Sequence, residues 1–182
     1  MAGTFSQMYI QVVFAVKHRQ ALIQSFWEEQ LYRYTTGIIR NKDQKLLAIN
    51  GMPDHIHILI GMKPACCLSD LIREVKKSTN EFINENGFTK SKFNWQGGFG
   101  AFSYSHSHLD NVIRYIMSQK EHHRKKTFKE EYVTLLEKFE IPYAEQSLFD
   151  WLDRSAHCTV FHGTTPSGSK AVGTRRRRVR SL

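Results

Sequence analysis

The chain has little cysteine and no long apolar run. Among its 182 residues, Cys66 and Cys67 are adjacent and Cys158 stands alone. This spacing offers neither a disulfide framework nor the paired cysteines of a zinc site. No apolar stretch approaches the roughly 20 residues that span a membrane, and Gln7 and Gln11 interrupt the apolar stretch that a signal peptide would need. These absences predict a cytoplasmic protein with one ordinary core.

Acidic residues are also absent after Asp153. Of the formal net charge of +9, residues 1–153 contribute +2, from 19 basic and 17 acidic side chains, and residues 154–182 contribute +7, from seven basic side chains. Residues 163–173 are rich in Gly, Ser and Thr, which predicts disorder. We expect a single domain over residues 1–153 and a basic tail over 154–182. The tail either binds DNA phosphates nonspecifically or is incidental to function.

Two histidines alternate with isoleucines in one short segment. His55 and His57 are interleaved with Ile56, Ile58 and, beyond Leu59, Ile60. A strand here would place the isoleucines on one face and both histidines on the other. Neutral imidazole is the commonest protein ligand for divalent metals, so two histidines on one face can share an ion. Taken alone, the pair favours histidines that fill or cap a sheet surface over a metal site.

A tyrosine and a glutamine lie one turn apart in a predicted amphipathic helix over residues 109–124. The spacing of Tyr115, Gln119 and His122 places the phenol and the amide on one face of that helix. A tyrosine with its ordinary pKa of about 10 is a poor nucleophile at neutral pH and needs an activated electrophile. A metal held by the two strand histidines and the Gln119 carbonyl would polarise a phosphodiester beside Tyr115. Taken alone, this helix is also compatible with ordinary packing.

Three blocks of the sequence are recognisable when they are taken together. They are Met52–His57, Trp95–Gln96 followed by residues 98–103, and Tyr115–Ile116 followed by Gln119 and residues 122–124. In this order and at these distances they resemble the single-tyrosine HUH transposases of small bacterial insertion sequences. The resemblance runs from about residue 7 to residue 151. By position, it implies that His55, His57 and Gln119 are metal ligands and that Tyr115 is the nucleophile.

The resemblance implies an enzyme that cuts and rejoins single-stranded DNA at hairpin-flanked ends. Tyr115 would attack the scissile phosphate and form a 5′-phosphotyrosine, and the free 3′-hydroxyl could later attack another such link. Mg2+ or Mn2+ suits an open site of nitrogen and oxygen ligands, whereas zinc is disfavoured because no cysteine accompanies the histidines. The resemblance also implies a homodimer, in which the tyrosine helix of one subunit can complete the metal site of the other.

The order of the predicted elements indicates an α+β fold. Strands are predicted at 8–17, 45–50, 55–62 and within 99–105, and helices at 26–40, 68–84, 109–124 and 128–139. We place Ser69 at the N-cap of the second helix. This order favours a ferredoxin-like antiparallel sheet with helices on one face, to which the Tyr115 helix is added. We therefore expect the histidine face of the sheet to be open to DNA.

Basic and aromatic side chains outside the predicted metal site are candidates for DNA contacts. They are Lys17, Arg19, Arg73, Lys76, Lys77, Trp95, His122 and Arg124. Lysine and arginine neutralise phosphates, and a tryptophan in a glycine-bracketed segment suits stacking on unpaired bases. Each basic cluster could instead be a solvated helix face, and Trp95 could anchor a long loop to the core.

Other functions fit part of the same pattern. A noncatalytic nucleic-acid-binding module could use the open sheet without cleavage. A metal-dependent phosphodiesterase would use bound water as the nucleophile, and a host-domesticated relative would process repeated hairpins. His106 and His108 repeat the His-x-His spacing, but they fall at a predicted strand-to-helix junction, where their side chains need not share a face.

Overall fold

A computed structural model describes residues 5–143 of the chain. Within them the elements are β1 (Met8–Ala15), α1 (Ser25–Asn41), β2 (Lys45–Met52), β3 (His55–Met62), α2 (Leu68–Glu85), β4 (Gly100–Tyr104), α3 (Leu109–Met117), α4 (Gln119–His122) and α5 (Phe128–Lys138). No helix in this part of the chain has the length and apolar character that crossing a bilayer requires. The predicted domain boundary at residue 153 and the basic tail lie outside the described residues and stay predictions.

The four strands form one antiparallel sheet in the order β2-β3-β1-β4. This strand order confirms the predicted α+β, ferredoxin-like sheet. The central pair, β1 and β3, runs in register from Met8 opposite Met62 to Ala15 opposite His55. The tight approach of β2 to β3 requires Gly51, because a Cβ at this position would collide with the His55 carbonyl oxygen. Because β3 pairs with β2 on one side and with β1 on the other, the histidine strand lies at the centre of the sheet.

One face of the sheet carries the isoleucine row and is covered by α1 and α2, as predicted. Its buried core includes Val12, Phe14, Trp27, Leu31, Ile56, Ile58, Ile60, Leu71, Ile72 and Val75. Full burial of one such side chain contributes about 1.5–3 kcal/mol to the stability of the fold. The predicted N-cap at Ser69 is wrong, since α2 begins at Leu68 and Cys67 occupies the N-cap without a side-chain hydrogen bond. Ser69 thus lies inside the first turn, two residues after the N-cap position.

The opposite face is covered by α3 and α5, so the prediction that it is open to DNA is wrong. Helix α3 buries Val112 and Ile116 against Ala48 and Leu59. Helix α5 packs against β1 and β4 through a second cluster of Val13, Ala15, Phe102, Phe128, Tyr132, Leu135 and Leu136. The reason is that the histidine face also carries apolar residues, such as Leu59, Val13 and Ala15, against which the apolar stripes of these helices are buried. His55 and His57 are consequently only 1% and 0% exposed.

The segment between α2 and β4 is anchored in the core through Trp95. This residue is 7% exposed, and its indole N–H donates a hydrogen bond of 2.8 Å to Thr79 Oγ1. Its ring makes edge contacts with Phe14 and Phe93, at centroid distances of 4.8 Å and 4.9 Å. The expectation of an exposed Trp95 that stacks on bases is therefore wrong, because its ring fills the isoleucine-face core.

The predicted helix over residues 109–124 is broken at Ser118. The Ser118 backbone has φ −94° and ψ 16°, which separates α3 from the single turn of α4. The Asn50 side chain on β2 donates hydrogen bonds to the carbonyls of Ile116 and Met117, at 3.0 Å and 2.9 Å. These bonds satisfy two terminal carbonyls of α3 and tie that end of the helix to the sheet.

Candidate metal centre and nucleophile

Three imidazoles and one carboxylate converge beneath α5. The two histidines of β3, His55 and His57, meet His123, which follows α4, and Glu131 of α5, with all ligand atoms within 4.8 Å of one another. Glu131 Oε2 lies 3.0 Å from His123 Nε2, 3.5 Å from His57 Nε2 and 3.8 Å from His55 Nε2. This spacing and donor set fit a divalent metal ion.

The hydrogen bonds of His55 and His123 point their Nε2 lone pairs into the cluster. His55 Nδ1 lies 2.6 Å from an oxygen of Asp54, and His123 Nδ1 lies 2.9 Å from the carbonyl of Lys126. Both partners are acceptors, so each Nδ1 carries a proton, and the Nε2 of a ring that holds no second proton is free to bind. The two Nε2 atoms are 3.1 Å apart. At this distance the lone pairs repel each other unless a proton or a metal ion lies between them.

His57 is supported from β1 by Gln11. The Gln11 side-chain amide is 2.9 Å from His57 Nδ1 and accepts a hydrogen bond of 2.8 Å from the Tyr104 hydroxyl. Rotation of the amide exchanges its donor and acceptor, so Gln11 can also accept from a protonated Nδ1. His57 Nε2 is buried and has no hydrogen bond among the described residues. An unsatisfied buried nitrogen costs about 1–3 kcal/mol, and a cation bound to it removes that cost.

Tyr115 and Gln119 both reach the same carboxylate, which confirms that they share one face. The Tyr115 hydroxyl and the Gln119 amide nitrogen donate to Glu131 Oε1, the second of these bonds at 2.9 Å. The ring of Tyr115 also makes an edge contact with His57, at a centroid distance of 5.9 Å. Gln119 Oε1 is buried without a hydrogen-bond partner in the described part of the chain. The predicted nucleophile and the predicted third ligand therefore lie beside the cluster.

Burial and charge tune the groups around Glu131. Burial, reinforced by the negative charge of Glu131, raises the pKa of Tyr115, which is thus a neutral phenol in this arrangement. Burial alone would raise the pKa of Glu131, but His123 and His57 hold it far below its usual value. Burial lowers the pKa of His55 to about 4, so this imidazole is neutral at pH 7 and competent to bind a metal.

His122 lies on the tyrosine side of the centre. Its ring is 5.3 Å from that of Tyr115, and its Nε2 is 3.7 Å from Glu131 Oε1. Burial lowers the pKa of His122, which keeps the ring neutral at pH 7. This position agrees with the predicted sharing of one helix face by His122 and Tyr115.

Sequence reasoning missed Gln11, His123 and Glu131. A helix that continued through residue 123 would turn His123 away from the face of Tyr115 and His122, but the chain turns after α4 and brings its ring to the cluster. Two signals were available in the sequence. Glu131 is a charged residue in the apolar stripe formed by Phe128 and Leu135, and Gln11 is a polar residue at an inward-facing strand position.

Two of the candidate DNA-binding residues lie close to the metal centre. Arg19 donates a 2.9 Å hydrogen bond to Asp54, and its guanidinium lies 4.3 Å from the centroid of the Phe128 ring. Arg124 is exposed just after α4 and pairs with Glu121 at 2.8 Å. Both side chains line a groove beside His55.

The remaining basic candidates are not brought to this centre. Lys17 is exposed in the turn after β1, whereas Arg73, Lys76 and Lys77 belong to α2, on the isoleucine face. The Lys76 ammonium donates a 2.7 Å hydrogen bond to the Gln96 carbonyl, and burial lowers its pKa to about 8. It therefore holds the segment before β4. The exposed pair His106 and His108 does not join the cluster either.

Comparisons with known proteins place the chain in a family. The family "Transposase IS200 like" matches residues 4–119. The crystal structure of a candidate transposase from Deinococcus radiodurans R1 is 18% identical, with a TM-score of 0.54 over 65% of this chain and 95% of the other. A REP-associated tyrosine transposase bound to a REP hairpin is 15% identical, with a TM-score of 0.50 over 65% of this chain and 70% of the other. No curated protein matches.

These two structures share the fold of this chain at low sequence identity. The family match ends at Gln119, so His123 and Glu131 lie beyond it. It nevertheless spans more than half of the 182 residues. The chain therefore belongs to the IS200-like transposase family, a family of enzymes that act on DNA.

Proposed function

We propose that this protein is a single-strand DNA transposase that cleaves and rejoins element ends through a 5′-phosphotyrosine. The observation that carries the proposal is a tyrosine hydroxyl beside a buried cluster of three imidazoles and a carboxylate. Hairpin-flanked single-stranded DNA is the proposed substrate, supported by the family match and by a structural neighbour that is bound to a REP hairpin.

His55, His57 and Glu131 would hold a divalent metal, with Gln119 Oε1 as a further donor. His123 either binds the same ion or holds the Glu131 carboxylate in place from 3.0 Å. The unsatisfied nitrogen of His57 and the unsatisfied oxygen of Gln119 support this assignment. When bound, the metal would polarise the scissile phosphate and offset the charge that develops on it.

The donor set favours Mn2+ over Mg2+. It is richer in nitrogen than the sequence alone predicted, because His123 adds a third imidazole. Mg2+ prefers oxygen ligands, whereas imidazole raises the affinity for transition metals. Zn2+ also binds imidazole and carboxylate, so the three metals should be compared in the same assay.

Tyr115 supplies the nucleophile, and Glu131 orients its hydroxyl by accepting its hydrogen bond. The bond from the tyrosine oxygen to phosphorus forms as the bond from phosphorus to the 3′ oxygen breaks. The phenolic proton is lost to water, and the departing 3′ oxygen takes up a proton from water, so the protons balance. One phosphodiester is thereby exchanged for another, so later attack by a 3′-hydroxyl restores the DNA without ATP.

A homodimer remains part of the proposal, with each active site formed within one subunit. Tyr115 lies 5.9 Å from His57 of the same chain, measured between ring centroids. Exchange of tyrosine helices between subunits is therefore not required to bring the nucleophile to the metal ligands. Mixing subunits that lack Tyr115 with subunits that lack His57 tests this, since activity should not be restored.

The proposed function is tested by trapping the covalent intermediate. A labelled single-stranded hairpin oligonucleotide from the native locus is incubated with the protein and Mn2+ or Mg2+, then resolved on a denaturing protein gel. We expect a shifted band that EDTA abolishes. Tyr115→Phe should lose the band and keep DNA binding, whereas Tyr34→Phe, a matched control on α1, should keep both.

Two other results would select the rival functions. Cleavage without a shifted band would indicate a hydrolase in which bound water attacks and Tyr115 only packs. Binding without cleavage would indicate a noncatalytic nucleic-acid-binding module. Adducts formed by Tyr115→Phe would show that the nucleophile is another residue.

A further inference from the structure

Two open grooves border the buried centre, and Lys126 is the residue that lines both. The first, here called the tyrosine groove, has a volume of about 310 Å³ and is lined by Tyr115, His122 and Glu131. The second, here called the histidine groove, has a volume of about 380 Å³ and is lined by His55 and His123. The nucleophile thus faces one groove, and two of the proposed metal-binding imidazoles face the other.

The chemistry of the proposed reaction relates the two grooves to the two halves of the DNA strand. In an in-line displacement, the attacking and leaving oxygens lie on opposite sides of phosphorus. Tyr115 attacks from the tyrosine groove, so the 3′ oxygen departs on the side away from it. The histidine groove opens beside His55 and is not lined by Tyr115, which makes it the candidate for the departing side.

The charge of the histidine groove suits several phosphates. Four basic residues line it against two acidic ones, Asp54 and Glu130; the basic residues are Arg19, Arg124, Lys125 and Lys126. Arg19 is paired with Asp54, and Arg124 is paired with Glu121. Such a concentration of cations attracts a polyanionic backbone whatever its sequence. This groove is therefore suited to hold a run of nucleotides by their phosphates.

The tyrosine groove has the features of a site for one nucleotide. Tyr104 offers an aromatic ring, and Asn111 and Thr134 offer an amide and a hydroxyl that can bind the edge of a base. His122 Nε2 is buried here without a hydrogen bond among the residues that the structure describes, although Glu131 lies 3.7 Å away. An unsatisfied nitrogen that faces the groove points to a polar ligand.

We propose that the DNA strand crosses the active site with a fixed polarity. The nucleotides on the 5′ side of the scissile phosphate, which leave with the 3′-hydroxyl, lie in the histidine groove. The first nucleotide on the 3′ side, which stays joined to Tyr115, lies in the tyrosine groove. Lys126 lines both grooves and lies where the strand passes from one to the other. This assignment rests on the proposed transposase function.

The polarity is tested by pairing surface variants with altered substrates. After the wild-type cleavage position is mapped, adduct formation is measured on three oligonucleotides. The first is intact. The second is shortened at its 5′ end, so that one nucleotide precedes the scissile phosphate. The third has an abasic residue at the first position on the 3′ side of that phosphate. The variants are Arg124→Ala with Lys125→Ala for the histidine groove, and Asn111→Ala with Thr134→Ala for the tyrosine groove. Lys129→Ala, an exposed lysine of α5 in the lining of neither groove, is the matched control.

Each pair of substitutions should lose its effect on one altered substrate. We expect the Arg124 and Lys125 pair to raise KM about tenfold on the intact and abasic substrates and hardly at all on the 5′-shortened one. The Asn111 and Thr134 pair should raise KM on the intact and 5′-shortened substrates and hardly at all on the abasic one. The control should match wild type on all three.

The outcomes separate a failure of the polarity from a failure of the proposed function. The reversed pattern, or equal effects of both pairs on both altered substrates, would overturn the polarity and leave the transposase function standing. If the wild-type protein forms no adduct with any substrate, the proposed function fails and the polarity fails with it.

Discussion

Replacement of His57 by alanine should abolish the stabilisation of the fold by a divalent metal. A ligand that binds only the folded state stabilises it by about 2.7 kcal/mol at a concentration of a hundred times its Kd. For a domain of this size, that free energy corresponds to a rise of about 10 °C in Tm. His57 is fully buried and its Nε2 faces the cluster, so its loss removes a ligand and the shape of the site together.

The expected magnitude follows from the loss of affinity. If the variant binds Mn2+ a hundredfold more weakly, the same Mn2+ concentration stabilises it by about 0.4 kcal/mol, or roughly 2 °C. The metal-free variant should itself be about 3 kcal/mol less stable than wild type, because a cavity forms and the Gln11 amide loses its partner. The informative quantity is therefore the metal-induced shift within each protein.

The assay is thermal unfolding with EDTA and then with a fixed excess of Mn2+, followed by fluorescence. His106→Ala is the matched control, because His106 belongs to the second His-x-His motif and is exposed outside the cluster. It should keep the full shift of about 10 °C. A His57→Ala variant with the same metal-induced shift as wild type would refute the metal centre at this position.

Two other substitutions test how Gln11 orients His57 and how closely α5 packs against Gly100. Gln11→Leu should weaken Mn2+ binding about tenfold to a hundredfold, because His57 Nδ1 loses the partner that orients its ring; unchanged affinity in calorimetry would show that Gln11 has no such role. Gly100→Ala should lower the free energy of unfolding by about 1–3 kcal/mol, since the added Cβ would lie 2.7 Å from the Tyr132 hydroxyl. Gly37→Ala, in α1 with no atom within 4 Å of the new Cβ, should raise it by about 0.5–1 kcal/mol. Urea unfolding measures both, and a Gly100→Ala variant as stable as Gly37→Ala would contradict the packing argument.

The short-range periodicity of the sequence was sufficient to predict the strands and to assign residues to the two faces of the sheet. Alternation along β3 correctly assigned Ile56, Ile58 and Ile60 to a face covered by α1 and α2, with both histidines on the other face. Helical spacing correctly placed Tyr115 and Gln119 on one side, where both now donate to Glu131. These features depend only on the repeat of a single element, which the sequence encodes directly.

The composition of the site was decided by contacts between elements. Glu131 reaches the histidines of β3 because α5 packs on Val13, Ala15 and Phe102. His123 reaches them because the chain turns after α4. The same packing closed a face that was expected to be open. The buried position of Trp95 likewise depends on its contacts with β1 and α2.

The sequence by itself thus determined the succession of strands and helices along the chain, the histidine face and the shared face of the tyrosine and glutamine. The tertiary structure alone decided which distant residues join them, namely Gln11, His123 and Glu131. The physical reason is that a periodic pattern reports the direction of a side chain relative to its own strand or helix. The residues that the side chain meets across the core depend on how whole elements pack, and no single segment of the sequence specifies that packing.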